Sequence, residues 1–154
     1  MANGVLKSKF ENSKLKICLS PTGIKGSVEG FLNFKGDHPI PMNDSFESSK
    51  HILENLMKTD CDNLIVLLSG GASSLFEIPD AGISRSEISN TTLKLLDNGT
   101  DIETFNRIRC SLSSIKCGKI LNYLHFKNYY LIMISDVPSD KTYLIGSNPF
   151  INQR

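Results

Sequence analysis

Two blocks of the chain are apolar at every position rather than at every second one: residues 64–68, Leu-Ile-Val-Leu-Leu, and residues 129–134, Tyr-Tyr-Leu-Ile-Met-Ile. A strand covered on both faces reads this way, as strands of a parallel sheet do. Residues 15–19 give a shorter strand, closed by the turn residues Ser20-Pro21-Thr22-Gly23. Residues 26–34 alternate in part, through Val28, Phe31 and Leu32, and predict a second strand. Two prolines and a glycine make residues 36–41 a loop. Asp44 or Ser45 can cap a helix whose apolar stripe is Ile52, Leu53, Leu56 and Met57. Ser84-Arg85-Ser86-Glu87 has capping-box spacing. The helix behind it carries Ile88, Leu93, Leu95 and Leu96 and ends near Asn98-Gly99. Asp101 caps another, through about Arg109. Ser113 or Ser114 opens a third, holding Ile115, Ile120, Leu121 and Leu124. After Asp136-Val137-Pro138 the pattern becomes irregular. Strands alternating with helices predict an α/β fold with a largely parallel sheet flanked by helices, a Rossmann-like three-layer arrangement.

Composition narrows the function classes without choosing one. The 154 residues are 40% hydrophobic and 21% charged, with a formal net charge of +1. That balance suits one globular domain and gives no electrostatic reason to expect nucleic acid or an anionic membrane as partner. No apolar run approaches the ~20 residues of a membrane span. The first ten residues lack an apolar signal core, so a cytoplasmic protein is expected. Cys18, Cys61, Cys110 and Cys117 form no CxxC pair, and no histidine stands at zinc-like spacing from them. Four reduced, structural cysteines are the expectation.

Ligands of parallel sheets sit at the carboxyl ends of the strands. Two unusual segments lie there. Ser69-Gly70-Gly71-Ala72-Ser73 follows the first apolar block. Its glycines let backbone N–H groups approach an anion, its serines add hydroxyl donors, and a following helix would add partial positive charge. A tight strand-to-helix turn of small residues is the plainer reading; no Walker lysine follows. Asp136 and Asp140 lie beyond the second block. Paired acids at a strand end can hold Mg²⁺, and one of them can accept a hydroxyl proton, or the pair is a solvated turn. Arg107, Arg109, Lys116 and Lys119 form a basic cluster. It can surround phosphoryl oxygens or be a solvated helix face. His38 is the one histidine in a constrained loop.

Four segments, in order, carry a family resemblance. They are Gly36-Asp37-His38-Pro39-Ile40-Pro41; Leu68-Ser69-Gly70-Gly71-Ala72-Ser73-Ser74-Leu75 running to Ile78-Pro79; residues 106–119, from Asn106-Arg107-Ile108-Arg109 to Lys116-Cys117-Gly118-Lys119; and Ser135-Asp136-Val137-Pro138-Ser139-Asp140 with Ile145-Gly146-Ser147-Asn148-Pro149. The chain thereby resembles the MOFRL-associated glycerate kinases, over about residues 36–149. The resemblance implies ATP-dependent phosphorylation of D-glycerate with Mg²⁺, a kinase acting on an alcohol acceptor. It implies catalytic roles for Asp136, Arg109 and Lys116. Substrate or phosphate contacts fall to Ser69, Gly70, Gly71, Ala72, Ser73, His38, Asn106 and Ser147, and metal binding to Asp136 and Asp140. Glycerate and nucleotide are the implied partners.

Departures from the pattern matter too. Ala72, Cys117, Ser139 and Asn148 stand where the family has glycine, and Cys110-Ser111 where it has a basic residue and histidine. Residues 1–35 read as a divergent segment without the family's Gly-Lys-Ala-Ala motif, and residues 36–154 as a partial kinase domain lacking the MOFRL lobe. The alternatives are therefore an inactive fragment, one subunit completed by a second chain or by a homo-oligomer, or a generic nucleotide- or anion-binding module.

Overall fold

A computed structural model of the chain describes residues 1–135 and 141–151. It is a mixed α/β structure. A short helix α1 (Ala2–Val5) leads to β1 (Ile17–Pro21) and β2 (Leu32–Gly36), which pair in parallel. Helix α2 (Asn43–Lys58) leads on to β3 (Asn63–Leu68). Three helices follow: α3 (Ala72–Leu75), α4 (Arg85–Asp97) and α5 (Ile102–Leu112). Strand β4 (Asn128–Met133) then returns parallel to β3, with Leu64 opposite Tyr129 and Leu68 opposite Met133. The two fully apolar blocks are thus adjacent parallel strands. Their carboxyl ends lie side by side, and the Ile134 amide donates to the Leu68 carbonyl at 2.9 Å.

The local chemistry that starts α4 and α5 is as the residues dictate. Ser84 and Glu87 satisfy each other's backbone amides in a complete capping box, and the Asp101 carboxylate accepts from the Thr104 amide. Helix α2 differs from expectation. Its N-cap residue Met42 gives no side-chain cap, the Asp37 carboxylate accepting from the Ser45 amide at 3.2 Å instead, and its buried face includes Ser45, Phe46, Ser48, Ser49 and Ile52, while Met57 is 52% exposed. The serines explain the rotation. Small hydroxyl side chains let α2 lie against the end of β2: the Ser48 hydroxyl donates to the Lys35 carbonyl at 2.5 Å, and the Asp37 amide to the Ser45 hydroxyl at 2.7 Å.

The helix expected from Ser113 or Ser114 does not form. Cys117 and Gly118 both have positive φ, 54° and 82°, which breaks a right-handed helix. Only a 3-10 turn, Lys119–Asn122, remains. The apolar residues assigned to that helix still build the core: Ile115, Ile120 and Leu124 cluster with Phe126, flanked by Phe76, Ile78, Leu64 and Tyr129. Strands β3 and β4 are covered on one face. On the other, Tyr130, Ile132 and Ile134 are each more than half exposed, so the expectation of two covered faces holds for one among the described residues. The cysteine expectation also changes. Cys110 and Cys117 are joined by a disulfide, with Cα atoms 5.8 Å apart, while Cys18 and Cys61 are free.

Candidate functional site

Strand β3 ends at Leu68 and the chain turns through Ser69, Gly70 and Gly71 into α3. Gly71 takes φ 77°, and a Cβ on it would stand 3.1 Å from His38 Nε2. The backbone conformation favours glycine there, and a Cβ would also push the His38 ring back by a few tenths of an ångström. Helix α3 is only four residues long. The positive charge expected from a helix terminus is therefore small, and side chains must supply it.

They converge on Ser73. Its carbonyl oxygen accepts from Arg109 Nη2 at 2.9 Å and from Lys116 Nζ at 2.6 Å. Its hydroxyl lies 2.7 Å from the Ser147 hydroxyl, which in turn donates to Asn106 Oδ1 at 2.5 Å. Asn106 Nδ2 donates to the Leu144 carbonyl at 3.4 Å. Five of the residues singled out in the sequence (Ser73, Arg109, Lys116, Asn106 and Ser147) thus form one hydrogen-bonded group. They come from α3, α5, the segment after α5 and the turn Ile145–Ser147.

Burial divides their roles. Lys116 is 0% exposed. Its ammonium donates to the carbonyls of Ser73 and Phe76, at 2.6 and 2.9 Å, and stands 3.3 Å from Glu77 Oε2. Those acceptors engage it fully, and it has no solvent contact. In this structure Lys116 supports the loop from behind. Burial pulls its pKa down to about 8, and the Glu77 carboxylate partly offsets that pull. Arg109 is 6% exposed and its guanidinium lies over the Phe105 ring, 5.3 Å from the centroid. Burial lowers its pKa also, again opposed by Glu77, from a starting value so high that it stays charged. Its Nε has no hydrogen-bond partner among the described residues.

Arg109, unlike Lys116, borders open space. A cleft of about 240 Å³ is lined by His38, Pro39, Gly71, Ser73, Ser74, Leu96, Thr100, Ile102, Phe105 and Arg109. The Gly-Asp-His-Pro loop, the serine-glycine loop and α5 therefore share one wall. Asn106 and Ser147 are buried behind it, at 3% and 0% exposure. Gly70 is exposed, and Ser69 and Ala72 are half-buried in the same loop. Arg107 is exposed, and Lys119 pairs with Asp80 at 3.2 Å, so those two members of the basic cluster face elsewhere. Asp136 and Asp140 lie outside the described residues. Among the described residues no three His, Cys, Asp or Glu side chains cluster as a metal site. No described helix is long and apolar enough to cross a membrane.

The comparison with known families decides the assignment: the model for the domain of unknown function DUF4147 matches residues 1–154. The chain belongs to the DUF4147 family. It is similar to the D-glycerate 2-kinase of Thermotoga maritima, 33% identical over 147 residues, covering 95% of this chain and 33% of that enzyme. The glycerate 2-kinase of Picrophilus torridus is 40% identical over 116 residues, 75% of this chain and 28% of the relative. Among solved structures, a glycerate kinase from Thermotoga maritima superposes with a TM-score of 0.86 at 29% identity, covering 99% of this chain and 37% of that one. The chain therefore spans about a third of the length of these relatives.

This DUF4147 domain carries the fold of its relatives, and geometry sorts the positions where the resemblance led glycine to be expected. Cys117 has φ 54°, where a glycine would relieve strain, and Asn148 has φ −22°, where none is needed. Ala72 opens α3 as an ordinary helical residue. Sequence reasoning missed Glu77, which is 1% exposed, pairs with Lys116 at 3.3 Å and acts electrostatically on Arg109. The signal was present: an acid flanked by Phe76 and Ile78 directly after the loop. An acidic residue inside an apolar segment is buried only with a partner.

Proposed function

We propose that this chain supplies one wall of a glycerate kinase site, in which the Ser69–Ser73 loop and Arg109 receive an anionic group of ATP or of D-glycerate. The observation that carries this reading is the cleft: Arg109 lines it while also holding the Ser73 carbonyl, so charge and loop shape are fixed together. A guanidinium in a largely desolvated wall is a strong partner for phosphate or carboxylate oxygens. Gly70 and Gly71 leave the backbone open to the same oxygens, and His38 packs against Gly71 as part of the wall. Lys116, Asn106 and Ser147 keep the loop in place.

The reaction would pass the γ-phosphoryl group of ATP to a glycerate hydroxyl. Asp136 would take the hydroxyl proton as the new oxygen–phosphorus bond forms and ADP leaves. Two carboxylates suit Mg²⁺, which completes its shell with water and phosphate oxygens; Asp136 and Asp140 would hold it there, where it would offset phosphate charge. The register of β3 with β4 supports a shared site, because β4, which precedes these aspartates in the sequence, ends beside the end of β3, from which the serine-glycine loop leaves.

Catalysis needs preorganised charge on every side of the transferring group, and loss of one donor typically costs on the order of a hundredfold. The 154-residue chain alone is expected to bind Mg·ATP or D-glycerate weakly, with Kd in the ~mM range. It should turn over at well under ~1% of the 1–100 s⁻¹ usual for kinases. Titration calorimetry with each ligand, and ADP release with ATP, Mg²⁺ and D-glycerate together, test both halves. Binding of neither ligand would remove the anion-site reading. Turnover at an ordinary kinase rate would show that this wall, alone or as an oligomer, builds a complete site.

A further inference from the structure

Beneath the serine-glycine loop lie three charges almost wholly out of water. Lys116 is 0% exposed, Glu77 1% and Arg109 6%. The two cations meet at one atom, the Ser73 carbonyl oxygen. Two like charges drawn to a single oxygen in a low-dielectric interior repel each other strongly. The buried anion against them is Glu77, whose Oε2 is 3.3 Å from Lys116 Nζ. Its own backbone is anchored to a different element: the Glu77 amide donates to the Ser49 hydroxyl of α2 at 2.7 Å. Glu77 lies outside the cleft lining and has one oxygen, Oε1, with no hydrogen-bond partner among the described residues. A carboxylate is costly to bury in this state, and nothing in the local turn requires one.

We propose that Glu77 is a positioning residue: its carboxylate keeps Lys116 charged beside Arg109, so that both cations hold the Ser73 carbonyl and fix the shape of the Ser69–Ser73 loop. The proposal rests on the anion-site reading of that loop for its functional meaning, and is tested first without any ligand. The groups facing Lys116 are few. Glu77 favours its charged form, and Arg109 and burial oppose it. The Lys119–Asp80 pair approaches from beyond Ser113, whose carbonyl accepts from Lys119 at 2.6 Å. With Glu77 neutral, Lys116 sheds its proton at lower pH. A neutral amine is a weaker donor than an ammonium, so the loop is held less firmly.

The experiment is an NMR titration of the whole chain, following the backbone amides of Gly70, Gly71 and Ala72 from pH 6 to 10. In the wild type these amides should report Lys116, with an inflection at about 8. In Glu77→Gln the inflection should fall by about one pH unit or more. Mg·ATP or glycerate binding should weaken about tenfold at pH 8 and recover in part toward pH 6 as Lys116 regains its proton. A merely space-filling Glu77 would lower the melting temperature and leave the inflection where it was; that result overturns the proposal. If Glu77→Gln does not fold, the double variant Glu77→Gln/Lys116→Met removes the buried charge pair together. Its loop amides should then show no inflection in this range, and an inflection that persists would equally refute the assignment. Loop titration as expected, with no binding of either ligand, would sustain the positioning role and refute the kinase-wall reading instead.

Discussion

Replacing Gly36 by alanine should be among the most damaging single-methyl changes in the chain. Gly36 ends β2 and is buried where that strand meets α3. A Cβ built on it stands 2.8 Å from Leu75 Cα, 2.9 Å from the Leu75 carbonyl oxygen and 3.0 Å from Leu75 Cβ. Ordinary contact begins near 3.4 Å, so strand and helix must separate by roughly half an ångström. The first two atoms are backbone, and no side-chain rotation can relieve them. Leu75 itself is 6% exposed and Ser74 2%, so α3 has no free direction in which to yield. Overpacking usually costs 1–3 kcal/mol, and a backbone clash belongs at the upper end, about 3 kcal/mol. For a domain of this size that lowers the melting temperature by roughly 6–12 °C. Gly23→Ala is the control, because a Cβ there meets nothing within 4 Å. Circular dichroism melts and urea midpoints on both variants provide the test. If Gly36→Ala melts within about 2 °C of Gly23→Ala, the close approach of β2 and α3 is not real.

Other expectations follow from single groups. Ser147 has φ 51° and donates to Asn106; Ser147→Ala keeps the strain and leaves Asn106 Oδ1 without that donor, costing about 1–3 kcal/mol. Ser147→Gly loses the same bond but relieves the backbone, so urea unfolding should rank it above Ser147→Ala. Ser84→Ala removes the capping box of α4 and should lower the melting temperature by a few degrees, about 2–4 °C. The Glu87 pKa is held down by its hydrogen bonds to Ser84, so this difference should be full above the ordinary carboxylate pKa and shrink as pH falls through it. Lys116 has a folded-state pKa of about 8 against 10.5 when unfolded. The unfolded chain therefore holds more protons between those values, and this group's contribution to stability should rise with pH across that window. Urea midpoints at pH 7, 8, 9 and 10 should show the rise in the wild type and lose it in Lys116→Met; an identical slope in both would refute it.

Periodicity alone determined much of the fold of this protein. The unbroken apolar runs at 64–68 and 129–134 mark the two strands that pair in parallel, although one face of the second run is left more than half exposed at Tyr130, Ile132 and Ile134. Ser84-x-x-Glu87 and Asp101 set their helix starts through chemistry confined to four residues. Ser73 and Arg109 could be nominated because hydroxyl and guanidinium groups advertise their chemistry wherever they lie, whereas Asn106 and Ser147 came only from the family resemblance. Tertiary structure decided which way they face. Lys116 and Arg109 look alike in sequence, yet one is sealed behind the loop and the other borders the cleft. That difference depends on contacts 36 to 43 residues away along the chain. Glu77 was passed over for the same reason: its partner is a lysine 39 positions later, brought near only when the segment after α5 packs beneath the loop. The buried face of α2 and the unformed helix after Ser113 are further cases. Ser45 and Ser49 are buried because β2 and α3 come close enough to need small side chains there, and two positive φ angles at Cys117 and Gly118 override the helical spacing of Ile115, Ile120 and Leu124. Local pattern fixes what a segment prefers; long-range packing chooses the face it buries and the groups it brings together.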